Sequence, residues 1–211
     1  MLIYLLDTNV IRYIRKTSDS DKQKSKEWFR KTKRFLDKVE EDIIDGNADF
    51  RITDVTKSEL AIQRFSIGEK KSLKVQSEIN KHGSPLDTEY LNTAIINAAK
   101  EMIAYLVSTY NSKKDAYEMD YVFARGGTED IKIMCCAFDL EECVITTGNV
   151  KDFLIYVVLY NKNNVLYDIG AECYVKLPEN LIRDIYNDEQ FIELRDNWLN
   201  QMNNLAENEL D

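Results

Sequence analysis

Short apolar runs alternate with longer stretches of helical periodicity along this chain. Apolar runs of strand length lie at residues 2–6, 50–53, 143–146, 165–167 and 172–177. Helical patterns fill the intervals, near residues 21–44, 56–65, 69–80, 88–110, 116–124, 128–138 and 188–207. Strands that alternate with helices form parallel sheets covered on both faces, so the pattern predicts an α/β fold. The last two apolar runs predict a hairpin ahead of an acidic final helix.

The length of the chain, 211 residues, fits one domain with a substantial core. No apolar run approaches the roughly 20 residues that cross a bilayer, so we expect no membrane span. The first apolar run is too short for a secretory signal, and it lacks a basic flank. A cytoplasmic location is the resulting prediction.

The number and positions of the cysteines and the histidine limit which catalytic groups the chain can use. Four cysteines show no Cys-x-x-Cys spacing, and Cys135 and Cys136 are adjacent, so we interpret them as reduced core thiols. The single histidine, His82, lies in a turn-like stretch without a nucleophile nearby. Serine and cysteine triads need such a partner, which leaves carboxylates and metal ions as the predicted chemistry.

Positive charge is concentrated near the N-terminus, although the net charge is −9. Residues 12–38 hold eleven Lys and Arg against four Asp and Glu, within an amphipathic helical pattern. One interpretation is a solvated lysine face on a packed helix. The other is an RNA-contacting surface, whose candidate residues are Lys31, Lys33 and Arg34. The acidic segment 179–211 is either a solvated helix face or a docking site for a basic partner.

Four acids follow strand ends or open helices in the predicted pattern. Asp7 ends the first strand, Glu59 lies one helical turn after the second, Asp130 opens the helix at 128–138, and Asp152 follows the strand at 143–146. Taken alone, each acid is explained as a helix cap or a surface residue. A doubly wound sheet gathers such junctions at one edge, and crowded carboxylates repel unless a cation neutralises them. Oxygen ligands select hard ions, which predicts Mg²⁺ or Mn²⁺.

Two further acids compete for the third position of this cluster. Asp120 and Glu129 are close enough in sequence to Asp130 to take its place as a ligand. Asp130 is preferred because its helix matches one block of the family resemblance that follows.

Four sequence blocks carry a resemblance to a known family. They are LLDTNV at 5–10, the stretch from IT to EL at 52–60, DIKIMCCA at 130–137 and VITTGNVKDF at 144–153. In this order they resemble the PIN-domain ribonucleases, and within them the VapC-type toxins. The resemblance covers residues 1–155, with an insertion at about 15–48 and an extension at 156–211.

The resemblance implies a three-layer α/β/α core with a central parallel sheet and a Mg²⁺- or Mn²⁺-dependent endoribonuclease activity. Its catalytic residues would be Asp7, Glu59, Asp130 and Asp152; Asp7, Asp130 and Asp152 would hold the metal, with Asn9 and Asn149 in support. It also implies an RNA substrate, an antitoxin protein as partner, and a homodimer.

Two other functions compete with this interpretation. The first is a catalytically inactive PIN-like module that binds RNA or a protein. The second is a phosphatase of the haloacid dehalogenase type, which also places an Asp at the end of its first strand. That family normally has a second acid two residues later, where this chain has Asn9.

Overall fold

A computed structural model describes residues 1–14, 23–64, 85–140, 142–160 and 164–208, together with residues 77 and 162. Within them the strands are β1 (Leu2–Leu6), β2 (Ala48–Arg51), β3 (Cys143–Thr147), β4 (Leu166–Asp168) and β5 (Cys173–Tyr174). The helices are α1 (Thr8–Ile14), α2 (Gln23–Ile44), α3 (Asp54–Arg64), α4 (Thr93–Tyr110), α5 (Thr128–Asp139), α6 (Val150–Tyr160), α7 (Glu179–Tyr186) and α8 (Glu189–Asn208), with a 3₁₀ turn at Asn111–Lys113.

The strands form one mostly parallel sheet in the order β2-β1-β3-β4-β5. Only β5, which pairs with β4, is antiparallel, so the predicted α/β class and the hairpin are confirmed. A parallel bridge between Thr53 and Leu86 continues the sheet beyond β2. The chain therefore adds β2 on one side of β1, returns to place β3 on the other side of β1, and continues outwards from there with β4 and β5. Such a reversal opens a crevice beyond the carboxyl ends of the two central strands.

Helices cover both faces of the sheet, because successive side chains of each strand point to opposite sides. Leu5 of β1 lies in a large apolar cluster with α4, α5, α6 and α8, whereas Leu6 lies in a smaller cluster with α1 and α2. Trp198 of α8 is fully buried in the large cluster, with its ring 4.8 Å from that of Phe138. Among the described residues, no helix is long and apolar enough to span a bilayer.

Most predicted elements lie within a few residues of the observed ones. The helix predicted at 116–124 is wrong: this segment is a turn followed by chain that is neither helix nor strand. Asn111 binds both backbone groups of Phe123, at 2.8 Å and 2.9 Å, and Glu118 has a left-handed φ of 55°. The helix predicted at 69–80 lies outside the described residues, apart from residue 77.

The aromatic face of α2 packs on the edge of the sheet where the parallel strands end. Trp28 stacks on Tyr13 of α1, with ring centroids 4.4 Å apart. A Cβ atom at Gly148, just after β3, would lie 2.8 Å from Tyr13. A Cβ at Gly170, just after β4, would lie 2.7 Å from Trp28. Both glycines therefore make room for this aromatic pair.

Polar contacts attach the same face of α2 to the loop after β4. Lys31 donates a hydrogen bond to the backbone oxygen of Gly170 and also pairs with Glu27 at 3.2 Å. Arg34 pairs with Glu172 at 2.7 Å. Two of the candidate RNA-contacting cations thus have partners within the chain.

We predict that Gly170→Ala weakens this docking. The new methyl group would meet Trp28 at 2.7 Å and the Asp168 carboxylate at 2.9 Å, so the ring must move. Overpacking of this kind lowers the free energy of unfolding by about 1–3 kcal/mol, which urea denaturation measures. Trp28→Leu in the same chain should recover part of the loss, because it removes the ring. Strictly additive effects of the two substitutions would contradict the contact.

A second polar anchor fixes the start of α8. Asp188 accepts hydrogen bonds from the hydroxyls of Tyr105 and Tyr110, at 2.7 Å and 2.8 Å, and from the backbone amides of Gln190 and Phe191, at 3.1 Å and 3.2 Å. Burial alone would raise the pKa of Asp188, but these donors outweigh it, and the pKa lies below its ordinary value. The carboxylate therefore caps α8 and ties it to α4.

We predict that Asp188→Ala lowers the free energy of unfolding by about 1–3 kcal/mol at neutral pH. The substitution removes a helix cap and leaves the hydroxyls of Tyr105 and Tyr110 without this carboxylate acceptor. Because the folded-state pKa is depressed, this stabilisation is present above the ordinary pKa of 3.8 and is lost as the pH falls through the folded value. Urea denaturation across the acid range measures it. Glu189→Ala, at an exposed neighbour, is the control.

Candidate functional site

Asp7 lies at the point where the order of the strands reverses. It follows β1 directly, and its backbone amide donates to the oxygen of Thr146 in β3, at 3.0 Å. Its side chain is only 3% exposed, and Oδ2 accepts from Thr147 Oγ1 at 2.8 Å and from Asn9 Nδ2 at 3.1 Å. Neighbouring side chains thus hold this carboxylate between the ends of two parallel strands.

Glu59 approaches the site from α3, at the end of β2. The hydroxyl of Thr8, the residue after Asp7, donates a hydrogen bond to a carboxylate oxygen of Glu59. The start of α1 and the second turn of α3 are thereby joined through a side chain. This bond fixes Glu59 on the same side of the sheet edge as Asp7.

The remaining two acids lie in the first turns of α5 and α6. Asp130 accepts a hydrogen bond from the amide of Gly127 at 2.8 Å, so it does cap α5. Asn149 donates to a carboxylate oxygen of Asp152. Gly126 has a left-handed φ of 52°, and a Cβ there would lie 3.6 Å from the backbone oxygen of Asp152 and 3.8 Å from Cβ of Asp130. The loop before α5 therefore packs against the starts of both helices.

The four carboxylates act on one another electrostatically. The pKa of Asp7 is raised to about 6: burial and the charges of Asp130 and Glu59 raise it, and the hydrogen bonds from Thr147 and Asn9 lower it. Asp130 likewise has a raised pKa, first through burial and then through the charges of neighbouring acids that include Asp152 and Glu59. Asp130 is thus the acid that interacts with each of the other three.

The pKa of Asp152 is also raised, but by a different set of contributions. Burial raises its pKa, while the Lys151 ammonium and the Asn149 amide lower it. Asp7, Asp130 and Asp152 therefore all have a carboxyl group that is harder to ionise than usual, at one edge of the sheet. Such shifts are typical of functional sites, although structural networks also produce them.

These acids fit a hard divalent cation by the chemistry of their donors, which are oxygen atoms only. In the described ranges, no group of three or more His, Cys, Asp and Glu side chains is placed so that it could hold a metal ion. The interactions that link these acids are electrostatic, and Asp130 takes part in those with Asp7, Glu59 and Asp152.

Neither of the two competing acids is among the charges that raise the pKa of Asp7. Asp120 and Glu129 are both exposed. Glu129 raises the pKa of Asp130, whereas Asp130 is the acid of this segment that acts on Asp7. The geometry thus favours Asp130 over either neighbour.

Three polar residues of this edge were not foreseen from the sequence. Thr147 and Thr8 orient carboxylates, and nothing in the sequence pattern distinguishes their hydroxyls from those of other threonines. Asp168 ends β4, is 7% exposed, and accepts a hydrogen bond from Tyr121 at 2.8 Å. Its position at a strand end is the same signal that identified Asp7.

The chain matches no protein-family model, no curated protein and no solved structure. Any function assigned to this edge of the sheet therefore rests on the residues and on their geometry.

We predict that Asp7→Asn stabilises the protein at neutral pH while it damages the site. The pKa of Asp7 rises from 3.8 to about 6 on folding, so the folded state binds the proton more tightly, and stability falls as the pH rises through this interval. The asparagine variant does not lose stability in this way, because its side chain does not ionise. We expect a gain of about 1–3 kcal/mol in the free energy of unfolding at pH 7, measured with chelator present.

The difference in the free energy of unfolding between wild type and Asp7→Asn reports the ionisation of the Asp7 carboxyl group alone. It should grow between pH 4 and about pH 6 and stay constant above that range. Asp45→Asn is the matched control, since Asp45 is exposed and precedes β2 at the opposite edge of the sheet. A pH-independent difference for Asp7→Asn would show that its carboxylate is not desolvated.

Proposed function

We propose that this protein is a metal-dependent endoribonuclease with a PIN-like core. The observation that carries the proposal is the coupling of Asp7, Glu59, Asp130 and Asp152. They come from four separate segments of the chain, and each interacts with Asp130 beyond the carboxyl ends of β1 and β3. A strand reversal of this kind is where open α/β sheets bind their ligands.

The residues divide into acids and the groups that orient them. Thr147 and Asn9 hold Asp7, Thr8 holds Glu59, and Asn149 holds Asp152. These bonds limit the rotation of the carboxylates, which favours a preorganised site. The supporting roles predicted for Asn9 and Asn149 agree with this arrangement.

Asp7, Asp130 and Asp152 are the proposed holders of Mg²⁺ or Mn²⁺. Such an ion supplies a Lewis acid that polarises a phosphoryl oxygen and neutralises developing charge. Glu59, oriented by Thr8, accepts the proton of the attacking water as a general base. Attack on the phosphorus with departure of the 3′ oxygen leaves products with 5′ phosphate ends.

A binding module without catalysis is the second candidate. It is favoured by the capping bond from the Gly127 amide, which occupies one carboxylate oxygen of Asp130. The phosphatase interpretation is weaker, because Asn9 stands where that family has its second acid and donates its amide to Asp7. The toxin role, the antitoxin partner and the homodimer stay predictions of the resemblance.

We predict cleavage of total RNA in Mn²⁺ that stops when chelator is added. Asp7→Asn and Asp130→Asn should each lower the rate by about 100-fold or more, as removal of a charge-stabilising group at a reacting centre does. Asp45→Asn, at the opposite edge of the sheet, should cleave at the wild-type rate. End-labelling of the products should find 5′ phosphates.

The alternative gives a distinct result in the same experiment. RNA that is bound but stays intact in Mn²⁺ would establish the binding module. Cleavage that persists in chelator, or in both acid variants, would contradict the proposed metal site.

A further inference from the structure

The cations of α2 are less available to a nucleic acid than their number suggests. Lys31 and Arg34 attach the helix to the loop after β4, as described above. Lys33 is exposed and pairs with Asp37, one turn along the helix, at 3.7 Å. If the proposed nuclease binds a phosphate backbone, its cations must also be sought elsewhere.

Three other cations surround the loop that precedes α5. We call Lys100, Arg125 and Lys151 the cationic rim. Lys100 of α4 is exposed and donates a hydrogen bond to the hydroxyl of Thr128, the first residue of α5, at 2.9 Å. Arg125 lies within the loop and is exposed. Lys151, in the first turn of α6, is exposed as well.

Backbone contacts hold two members of the rim beside the acids. The amide of Ala124, the residue before Arg125, donates to the backbone oxygen of Lys151 at 3.1 Å. Gly126, the residue after Arg125, packs against the backbone oxygen of Asp152. Arg125 and Lys151 are thus placed next to each other, directly against the acidic edge.

The charges of the rim are only partly compensated within the chain. Lys151 acts on Asp152 and lowers its pKa, but neither Arg125 nor Lys151 forms a salt bridge with any residue that the structure describes. Glu129 is the exposed acid of the same loop and offsets part of the positive charge. The exposed side chains of Arg125 and Lys151 are therefore open to a phosphate from solution.

We propose that the cationic rim binds the phosphate backbone of the RNA strand and delivers it to Asp130 and Asp152. This inference rests on the proposed nuclease function and names the surface that holds its substrate. Carboxylates repel a phosphodiester, so a nuclease with an acidic site needs cations beside it. Lysine and arginine that contact phosphates supply affinity through the release of counterions. Arg125 also offers a planar fork of donors that suits phosphate oxygens.

The test compares two double variants that remove the same charge. Arg125→Gln with Lys151→Gln changes the rim, and Lys33→Gln with Lys38→Gln changes two exposed lysines of α2. The probe is a short fluorescent single-stranded oligoribonucleotide of mixed sequence. Its binding to the full chain is measured by anisotropy in chelator, over a range of salt concentrations.

We expect the rim variant to bind about 25-fold more weakly near 0.1 M salt, since each contact with a single strand contributes a factor of about five there. The slope of log K against log salt should fall by about 1.4. The α2 variant should keep most of the wild-type slope. All four positions are exposed, so thermal unfolding should confirm that both variants fold like the wild type.

The remaining outcomes overturn the proposal. A rim variant that binds like the wild type, or an α2 variant that loses as much affinity, would show that this surface is not the phosphate site. If the wild type still cleaves RNA in Mn²⁺ in that case, the nuclease function stands and the rim alone is wrong. A wild-type chain that binds no RNA at any salt would overturn both.

Discussion

The burial of the Asp7 carboxylate between the ends of two parallel strands is the constraint on which the site depends. A carboxylate removed from water is costly unless hydrogen bonds or a counter-charge compensate it. Thr147 and Asn9 supply hydrogen bonds, yet the pKa still rises to about 6, and the charges of Asp130 and Glu59 raise it rather than compensate the burial. A sequence under selection for stability alone would not keep this arrangement, so the local conflict itself points to function.

The helical segment between β1 and β2 also packs against this edge of the sheet. Its helix α2 is amphipathic and basic, and from sequence that composition indicates either packing or a nucleic-acid surface. The structure shows Trp28 over the glycines that follow β3 and β4, with Lys31 and Arg34 bound to the adjoining loop. Two cations of the helix, Lys31 and Arg34, therefore serve to hold it against the loop after β4.

Strand positions and the four acids could be predicted because they depend on local pattern. Buried parallel strands appear as short apolar runs, and an acid at a strand end needs no tertiary information to be noticed. The absence of a helix at 116–124 could not be predicted in this way, because it involves a contact between residues 12 positions apart, in which the side chain of Asn111 binds both backbone groups of Phe123. The partnership of Thr147 with Asp7 joins residues 140 positions apart, so it too is a product of the sheet order.

Overall charge is a poor guide to what this chain attracts. The net charge of −9 argues against a polyanion, yet the field at any one point is set by charges within about one Debye length, roughly 8–10 Å in physiological salt. At the start of α6, Lys151 is the neighbour of Asp152 and lowers its pKa, while Arg125 enters through the adjoining loop. In the proposed function, a phosphodiester that approaches there meets the exposed side chains of Arg125 and Lys151 beside the partly buried carboxylates of Asp130 and Asp152. Under that proposal, cations placed next to the acids let one edge of an acidic protein both attract a phosphate and present carboxylates to it.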